Sequence, residues 1–146
     1  MYTIGQVSEM FQLPISTLRY YDKEGLFPGL TRISGVRKFG ENELERLRVI
    51  ECLKQSGVEI KDIKQFMQWC EQGESTYLLR HDFFMHQKKV MEAEIEQMQK
   101  TLSMIRYKCW YYEQAMKDGS ENHILEMLPD QLPQEIQALY DHARGK

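Results

Sequence analysis

The chain has 146 residues, 42% of them hydrophobic and 28% charged, and its 19 Lys and Arg against 22 Asp and Glu give a formal net charge of −3. This length corresponds to one domain, or to a small domain with an appended element, and leaves little room for the large cleft of a typical two-layer enzyme. The composition therefore favours a binding module over an enzyme.

Neither an apolar run of transmembrane length nor a basic segment followed by an apolar stretch at the N-terminus is found in the sequence. We therefore expect no membrane span and no signal peptide, and a cytoplasmic protein. The three cysteines, Cys52, Cys70 and Cys109, form no CxxC pair. This spacing argues against a disulfide framework or a zinc ribbon and favours reduced thiols.

The charge is unevenly distributed along the chain. Residues 1–40 carry five Lys or Arg and three Asp or Glu, whereas residues 118–146 carry two and six. The acidity thus lies in the tail, so the overall negative charge is compatible with a nucleic-acid surface confined to the N-terminal region.

The first elements in chain order predict a helix-turn-helix. Thr3 and Gln6 are spaced as a capping box, so a helix of about two turns begins here and ends before Pro14. Ser16 is placed to cap a second short helix over Thr17–Lys23. The tight connection between the two helices is typical of this motif.

A turn-rich, basic stretch follows the second helix. Residues 25–40 contain four glycines and a proline around Arg32, Arg37, Lys38 and Phe39, a pattern that predicts a hairpin wing. Two amphipathic helices are expected next, over 41–55 and from Ile60 to Gly73. Together they would supply most of the small core.

A heptad stripe marks the second half of the chain. Its apolar positions alternate at spacings of four and three over 26 residues, and one helix cannot bury such a seam alone, so a second copy of the chain is the economical partner. Extended back through Phe84, the helix is expected to begin near Ser75 and to end around Asp118-Gly119. The seam, and with it the predicted dimer interface, comprises Phe84, Met91, Ile95, Met98, Leu102, Ile105, Cys109, Tyr112 and Met116.

The tail after this helix offers a short amphipathic helix through Ile136, Leu139 and Tyr140. The sequence thus predicts three segments: a DNA-binding-type domain with a helical pair over 1–73, a coiled-coil helix over 74–118, and a short effector or docking tail over 119–146.

Four segments of the N-terminal third resemble the DNA-binding domain of the MerR family of bacterial transcription regulators. They are Tyr2–Ser8, Thr17–Leu26, Arg32 with Gly35–Arg37, and Leu44–Ile50, in the family's order and spacing. The resemblance implies a mainly α fold, in which a winged helix-turn-helix precedes an antiparallel coiled coil that joins two subunits. The sequence departs from the family pattern at two kinds of position: the family often has Tyr where this chain has Phe39, and a Ser cap where it has Gly40 or Glu59.

The resemblance further implies how such a protein works. A homodimer binds a pseudo-palindromic site in the spacer of double-stranded promoter DNA and distorts it so that RNA polymerase engages both promoter elements. This predicts a nucleoid-associated protein. For Arg19 the sequence does not choose between a contact to a guanine and a contact to a phosphate. Of Tyr20 and Tyr21, one is expected to contact the DNA backbone and the other to lie in the core. The candidate DNA contacts are Thr3, Ser16, Thr17, Arg19, Tyr20, Tyr21, Lys23, Arg32, Arg37, Lys38 and Phe39.

A sensor residue is suggested by Cys52. On a helical wheel it lies away from the apolar side of its helix and one turn after Arg48, a position in which a thiol is accessible and activated. A cysteine in the corresponding helix occurs in the aldehyde- and thiol-stress-responsive branch of the family. The alternative is that Cys52 packs against the partner subunit. Metal sensing and cofactors are not expected, because Cys109 lies on the seam and the four histidines form no cluster.

Trp110 and Tyr111 offer a second sensor candidate. They could line a small apolar pocket for an organic ligand with the apolar residues of the tail, or simply dock the tail. Two other classes compete with a regulator. A thiol enzyme lacks a placed base, and a coiled-coil adaptor without DNA binding would leave Arg19, Arg32 and Arg37 without a role.

Overall fold

Seven α-helices and three short β-strands form the structure, a computed structural model that describes residues 1–146. The mainly helical architecture predicted from the sequence is confirmed. In chain order the elements are β1 (Tyr2–Thr3), α1 (Ile4–Phe11), α2 (Ile15–Lys23), β2 (Thr31–Ile33), β3 (Val36–Phe39), α3 (Glu41–Gln55), α4 (Ile60–Gln72), a single 3₁₀ turn (Gly73–Thr76), α5 (Tyr77–Asp118), α6 (Asn122–Met127) and α7 (Gln134–Ala143).

The residue contacts divide the chain into two compact units, Met1–Lys88 and Lys89–Lys146. The boundary falls within α5, so the first unit includes the beginning of that helix, up to Lys88, and the second unit holds the remainder of α5 with the tail. The division into residues 1–73, 74–118 and 119–146 stays a prediction of the sequence.

The capping box at the start of α1 is present. The Thr3 hydroxyl oxygen accepts a hydrogen bond from the Gln6 backbone N–H at 3.2 Å, and the Gln6 side chain accepts one from the Thr3 N–H at 2.8 Å. Tyr2 and Thr3 also form the strand β1, which pairs antiparallel with β3. This third strand was not predicted, because two residues carry no periodicity.

The start of α2 corrects the predicted role of Ser16 as a helix cap. The helix begins at Ile15, and the N-cap position is taken by Pro14, whose carbonyl accepts from the N–H groups of Thr17 and Leu18. Proline is favourable beside a helix start because it lacks the N–H that would remain unpaired there. Ser16 therefore lies within the first turn.

The predicted wing is confirmed as the β2–β3 hairpin. Its register places Arg32 opposite Arg37 and Ile33 opposite Val36. The two turn residues, Ser34 and Gly35, both have positive φ, as the tightest hairpin turns require, because that backbone twist matches the twist of the strands.

The core of the first unit is built by α1 to α4 together with the wing. On the apolar side of the predicted amphipathic helix α3, four residues are each at most 1% exposed: Leu44, Leu47, Ile50 and Leu53. The Phe27 ring meets Phe39 edge-on with 5.4 Å between centroids. The amphipathic pair of helices is therefore the base on which α2 and the wing are held. The buried residues are Val7, Leu18, Tyr21, Leu26, Phe27, Phe39, Leu44, Leu47, Ile50, Leu53, Ile63, Phe66 and Met67.

The second unit is a three-element packing of α5 with α6 and α7. Its core consists of Tyr107 and Tyr111 from α5 with Ile124 and Leu132 from the tail. The predicted amphipathic tail helix is present as α7, and α5 ends at Asp118 as expected. Helix α5 begins at Tyr77, two residues after the predicted start at Ser75, because the 3₁₀ turn Gly73–Thr76 precedes it.

The heptad seam of α5 remains exposed in the single chain. Within the second unit, Ile95, Met98, Ile105 and Met116 are all more than half exposed. The tail-facing residues Ser103, Tyr107 and Tyr111 repeat every fourth position and lie on the opposite side of the helix, at about 100° per residue. The tail therefore leaves the seam uncovered.

Candidate nucleic-acid interface

The exposed side of α2 carries a polar stripe. Ser16, Arg19, Tyr20 and Lys23 are all exposed and lie three, four and seven positions apart, so they occupy one face of the helix. Leu18 and Tyr21 are buried on the other face and hold α2 against the core. The arrangement presents a guanidinium, an ammonium and two hydroxyl groups in a row, the groups that bind base edges and phosphates. Thr17 lies beside this stripe and is half-buried.

Two predicted DNA contacts are corrected by burial. Tyr21 and Phe39 have no exposed surface, so neither ring reaches a DNA backbone. The Tyr21 hydroxyl donates to Glu51 at 3.0 Å and accepts from the Lys54 ammonium at 3.0 Å, and burial raises its pKa. Of the two adjacent tyrosines, Tyr21 belongs to the core and Tyr20 to the surface. The sequence signal for this choice is that Tyr21 follows the apolar Leu18 by three positions, which places both on the same face of the helix.

The two wing arginines converge on one carboxylate. The Arg32 Nη2 lies 2.7 Å and the Arg37 Nε 2.6 Å from the same Oδ2 of Asp22 on α2. The wing is thereby fastened to the helix that carries the polar stripe. Asp22 was not singled out from the sequence, because the pairing joins residues ten and fifteen positions apart in different elements.

Thr3 and Lys38 flank the wing on its β1 side. They lie directly opposite each other across the β1–β3 pair, and both are half-buried. The Thr3 hydroxyl oxygen is used as an acceptor by the helix cap, which leaves its proton free to donate. The structure thus brings the α2 stripe and the wing arginines together through Asp22, and places Thr3 with Lys38 on the neighbouring strands.

Cys52 is exposed on α3, on the side away from the core, as its helical position predicted. The nearby guanidinium of Arg48 is already paired with Glu45 and lies over the Phe11 ring, 5.8 Å from its centroid. The structure therefore provides access to the thiol, while the basic neighbour is shared with a carboxylate.

Trp110 and Tyr111 lie at the contact between α5 and the tail. The Tyr111 hydroxyl donates to Glu121 at 2.6 Å. Tyr107 stacks on Trp110 with centroids 6.2 Å apart and meets Tyr140 of α7 at 5.0 Å. These rings fill the contact, which favours tail docking over an open pocket. Tyr107, which carries much of this packing, was missed because it lies off the most apolar stripe.

The apolar surface on α5 forms a shallow groove along the seam. It is lined by Met91, Ile95, Met98 and Leu102, with Glu94 and Gln99 at its edges. No group of three or more His, Cys, Asp or Glu side chains is arranged to hold a metal ion. No helix is both long and apolar enough to cross a membrane.

Comparison with known proteins places these features in context. The family model described as MerR HTH family regulatory protein matches residues 2–69. An uncharacterized HTH-type transcriptional regulator of Haemophilus influenzae is 34% identical over 131 residues, which cover 88% of this chain and 97% of that protein.

Solved structures agree with the sequence relatives. The crystal structure of HiNmlR, a MerR family regulator lacking the sensor domain and bound to promoter DNA, aligns with a TM-score of 0.73 at 34% identity, covering 84% of this chain and 98% of that one. A MerR family transcriptional regulator from Bacillus thuringiensis aligns with a TM-score of 0.69 at 45% identity, covering 74% of this chain and 96% of that one.

Proposed function

The chain belongs to the MerR family of helix-turn-helix transcriptional regulators, and from this premise we propose that it binds double-stranded promoter DNA through α2 and the wing. The observation that carries the proposal is the exposed stripe Ser16, Arg19, Tyr20 and Lys23 beside two wing arginines. A recognition helix places such side chains in the major groove, while flanking cations hold the phosphates. The relative HiNmlR, which shares this fold, was solved on promoter DNA.

We propose that the functional unit is a homodimer joined along the seam of α5. The support is the exposed row of apolar seam residues, which the tail leaves uncovered. A twofold dimer requires a pseudo-palindromic operator, whose half-site distance is set by the paired helices. In this mechanism the dimer occupies the promoter spacer and distorts it, so that RNA polymerase engages both promoter elements.

The experiment that tests DNA binding begins with a selection of operator duplexes from a random pool, followed by fluorescence anisotropy at two salt concentrations. We expect salt-dependent binding that prefers the selected operator over a scrambled duplex. Arg19→Ala should weaken binding to the operator by about 1–3 kcal/mol if the side chain reads a base, and by a similar amount on every duplex if it holds a phosphate.

The matched control is Lys61→Ala, which removes a cation 77% exposed on α4 that belongs to neither the α2 stripe nor the wing. It should leave operator binding unchanged. An absence of salt-dependent duplex binding by the wild-type protein would favour the coiled-coil adaptor instead.

For the effector, we propose that modification of Cys52 by an electrophile such as an aldehyde changes the geometry of the DNA complex. The supporting observation is that the thiol is exposed on α3. The alternative is a small organic ligand near Trp110 and Tyr111, although the aromatic rings there already pack against the tail.

Cys52→Ser is expected to abolish the transcriptional response to aldehyde while retaining operator binding. Cys70→Ser removes a half-buried thiol on α4, outside the seam, and is expected to respond like the wild type. In vitro transcription with and without aldehyde measures the response, and mass spectrometry identifies the modified thiol. A full response of Cys52→Ser would move the search for the effector to Trp110.

A further inference from the structure

Asp22 connects the two parts of the candidate DNA surface. It lies in the last turn of α2, its side chain is 12% exposed, and one of its oxygens accepts from both Arg32 and Arg37. We propose that Asp22 is a positioning residue that orients both wing arginines toward the DNA backbone and sets the preference for the operator. The inference rests on the proposed DNA binding and adds a residue to it.

The hairpin register explains why the arginines need such a partner. Arg32 and Arg37 lie directly opposite each other on β2 and β3, and like charges in opposite positions repel and destabilise a strand pair. The Asp22 carboxylate between them offsets this repulsion. Because the two guanidiniums share one oxygen, it also limits the conformations of two long side chains.

The remaining hydrogen-bond donors make the arrangement suitable for phosphate binding. A guanidinium has five N–H donors, and Arg37 uses its Nε and Arg32 its Nη2 on Asp22. The other donors of both side chains are left for a phosphate, and the three groups together keep one net positive charge. Asp22 therefore holds one nitrogen of each guanidinium and leaves the remaining N–H donors free.

The location of Asp22 is unfavourable apart from this pairing. An acidic side chain in the last turn of a helix faces the negative end of the helix dipole, and its burial adds a desolvation cost. Two charge-assisted hydrogen bonds offset both costs. Glu24, the next acid along the chain, is in none of the ion pairs of the structure and serves as a matched control.

Charge and position make opposite predictions for Asp22→Asn. If Asp22 only neutralised the surface, its removal would strengthen binding to every duplex. If it positions the arginines on phosphates that come within their reach only when the operator is distorted, binding to the operator weakens while binding to scrambled DNA stays equal or becomes tighter. We expect the ratio of operator to scrambled affinity to fall about tenfold, the effect of one charge-assisted hydrogen bond.

The test measures this ratio by anisotropy for the wild-type dimer, Asp22→Asn, Asp22→Glu and Glu24→Gln, with thermal melting to confirm folding. Asp22→Glu should retain part of the wild-type ratio of operator to scrambled affinity. Glu24→Gln should leave that ratio at the wild-type value. Repeated in an Arg32→Ala, Arg37→Ala background, Asp22→Asn should have no further effect. Should Asp22→Asn not fold, Arg37→Lys, which keeps the charge but loses the Nε donor, is expected to lower the ratio similarly.

The outcomes are distinguishable. An unchanged ratio in Asp22→Asn, or an equal loss without the two arginines, would overturn the role of Asp22 while leaving DNA binding intact. A wild-type protein that does not distinguish the operator from scrambled DNA would instead overturn the proposed function and, with it, the role of Asp22.

Discussion

At the residue scale, the hydroxyl of Tyr111 links α5 to the segment that leads into α6. The hydroxyl donates to Glu121 at 2.6 Å, and Tyr111 as a whole is 4% exposed. The hydrogen bond to Glu121, assisted by burial, raises the pKa of Tyr111 to about 12. The folded protein thus holds this proton more tightly than the unfolded chain, in which a tyrosine titrates near 10.

This shift predicts a loss of stability at alkaline pH. Because the folded-state pKa is raised, the stabilisation is fully present below about pH 10 and is lost as the pH rises toward about 12. Tyr111→Phe should flatten this part of the stability curve, measured by urea unfolding at pH 8 and at several points above pH 10. Tyr20→Phe, at a ring on α2 that is 47% exposed and outside the seam, is the control. Identical slopes for Tyr111→Phe and wild type would contradict the assignment.

For single residues, the sequence could show which exposed side chains are candidate DNA contacts, but not which residues of the same chain they pair with. The resemblance to the MerR family implied Arg19, Tyr20 and Lys23 as DNA contacts, and the structure exposes all three. Their place on DNA stays a prediction. The role of Asp22 was not predictable, because an acid among basic residues has no pattern of its own until the wing folds back onto α2.

At the element scale, α7 is held to α5 by a chain of two hydrogen bonds through His142. In the neutral imidazole, Nε2–H donates to Glu96 at 3.1 Å, since a carboxylate only accepts, and Nδ1 accepts from the hydroxyl of the buried Ser103 at 2.7 Å. Apolar packing of Tyr140 on Tyr107 adds to this contact.

His142→Ala should loosen α7 without unfolding the second unit. It removes both hydrogen bonds and leaves the Ser103 hydroxyl buried without a partner, at a cost of about 1–2 kcal/mol. Faster amide hydrogen exchange confined to residues 134–143 would show the effect. His123→Ala changes a histidine that is 66% exposed and should not alter this exchange. Unchanged protection of α7 in His142→Ala would show that the hydrogen bonds do not hold the helix.

Elements with local signals were the ones that the sequence predicted. The capping box, the glycine-rich turn and the apolar periodicities placed α1, the wing and the helical pair, since each depends on neighbours within a few residues. Strand β1 was missed because its pairing with β3 joins Tyr2 to Phe39 across the chain. The predicted cap at Ser16 failed because the backbone of Pro14 takes the position that a serine side chain would otherwise serve.

At the scale of the whole molecule, the two faces of α5 have different roles in the second unit. The tail covers the face of Ser103, Tyr107 and Tyr111, and the opposite face exposes the seam. The heptad pattern predicted the exposed seam face because the pattern repeats over many residues. It did not predict the face that the tail covers, because tyrosines and a serine form that contact and hydrophobicity is a weak guide to their burial.

The open seam leads to a prediction for the assembly. Ile105 is 55% exposed at a central seam position, and a Lys there would place two uncompensated ammonium groups inside a paired interface, where unpaired charge is strongly unfavourable. Ile105→Lys should therefore give a monomer at concentrations at which the wild type sediments as a dimer, and its operator affinity should fall because one subunit binds only one half-site. The single chain should remain folded, since Ile105 takes no part in its core.

Gln97→Lys introduces the same charge at an exposed position one residue away from the seam residue Met98 and tests whether added charge alone causes dissociation. Sedimentation velocity and operator binding of the three proteins decide the matter. Because the helical content of each is checked by circular dichroism, a dimeric Ile105→Lys would mean that another surface joins the subunits. An equal loss of dimer in Gln97→Lys would mean that net charge, and not the seam, controls association.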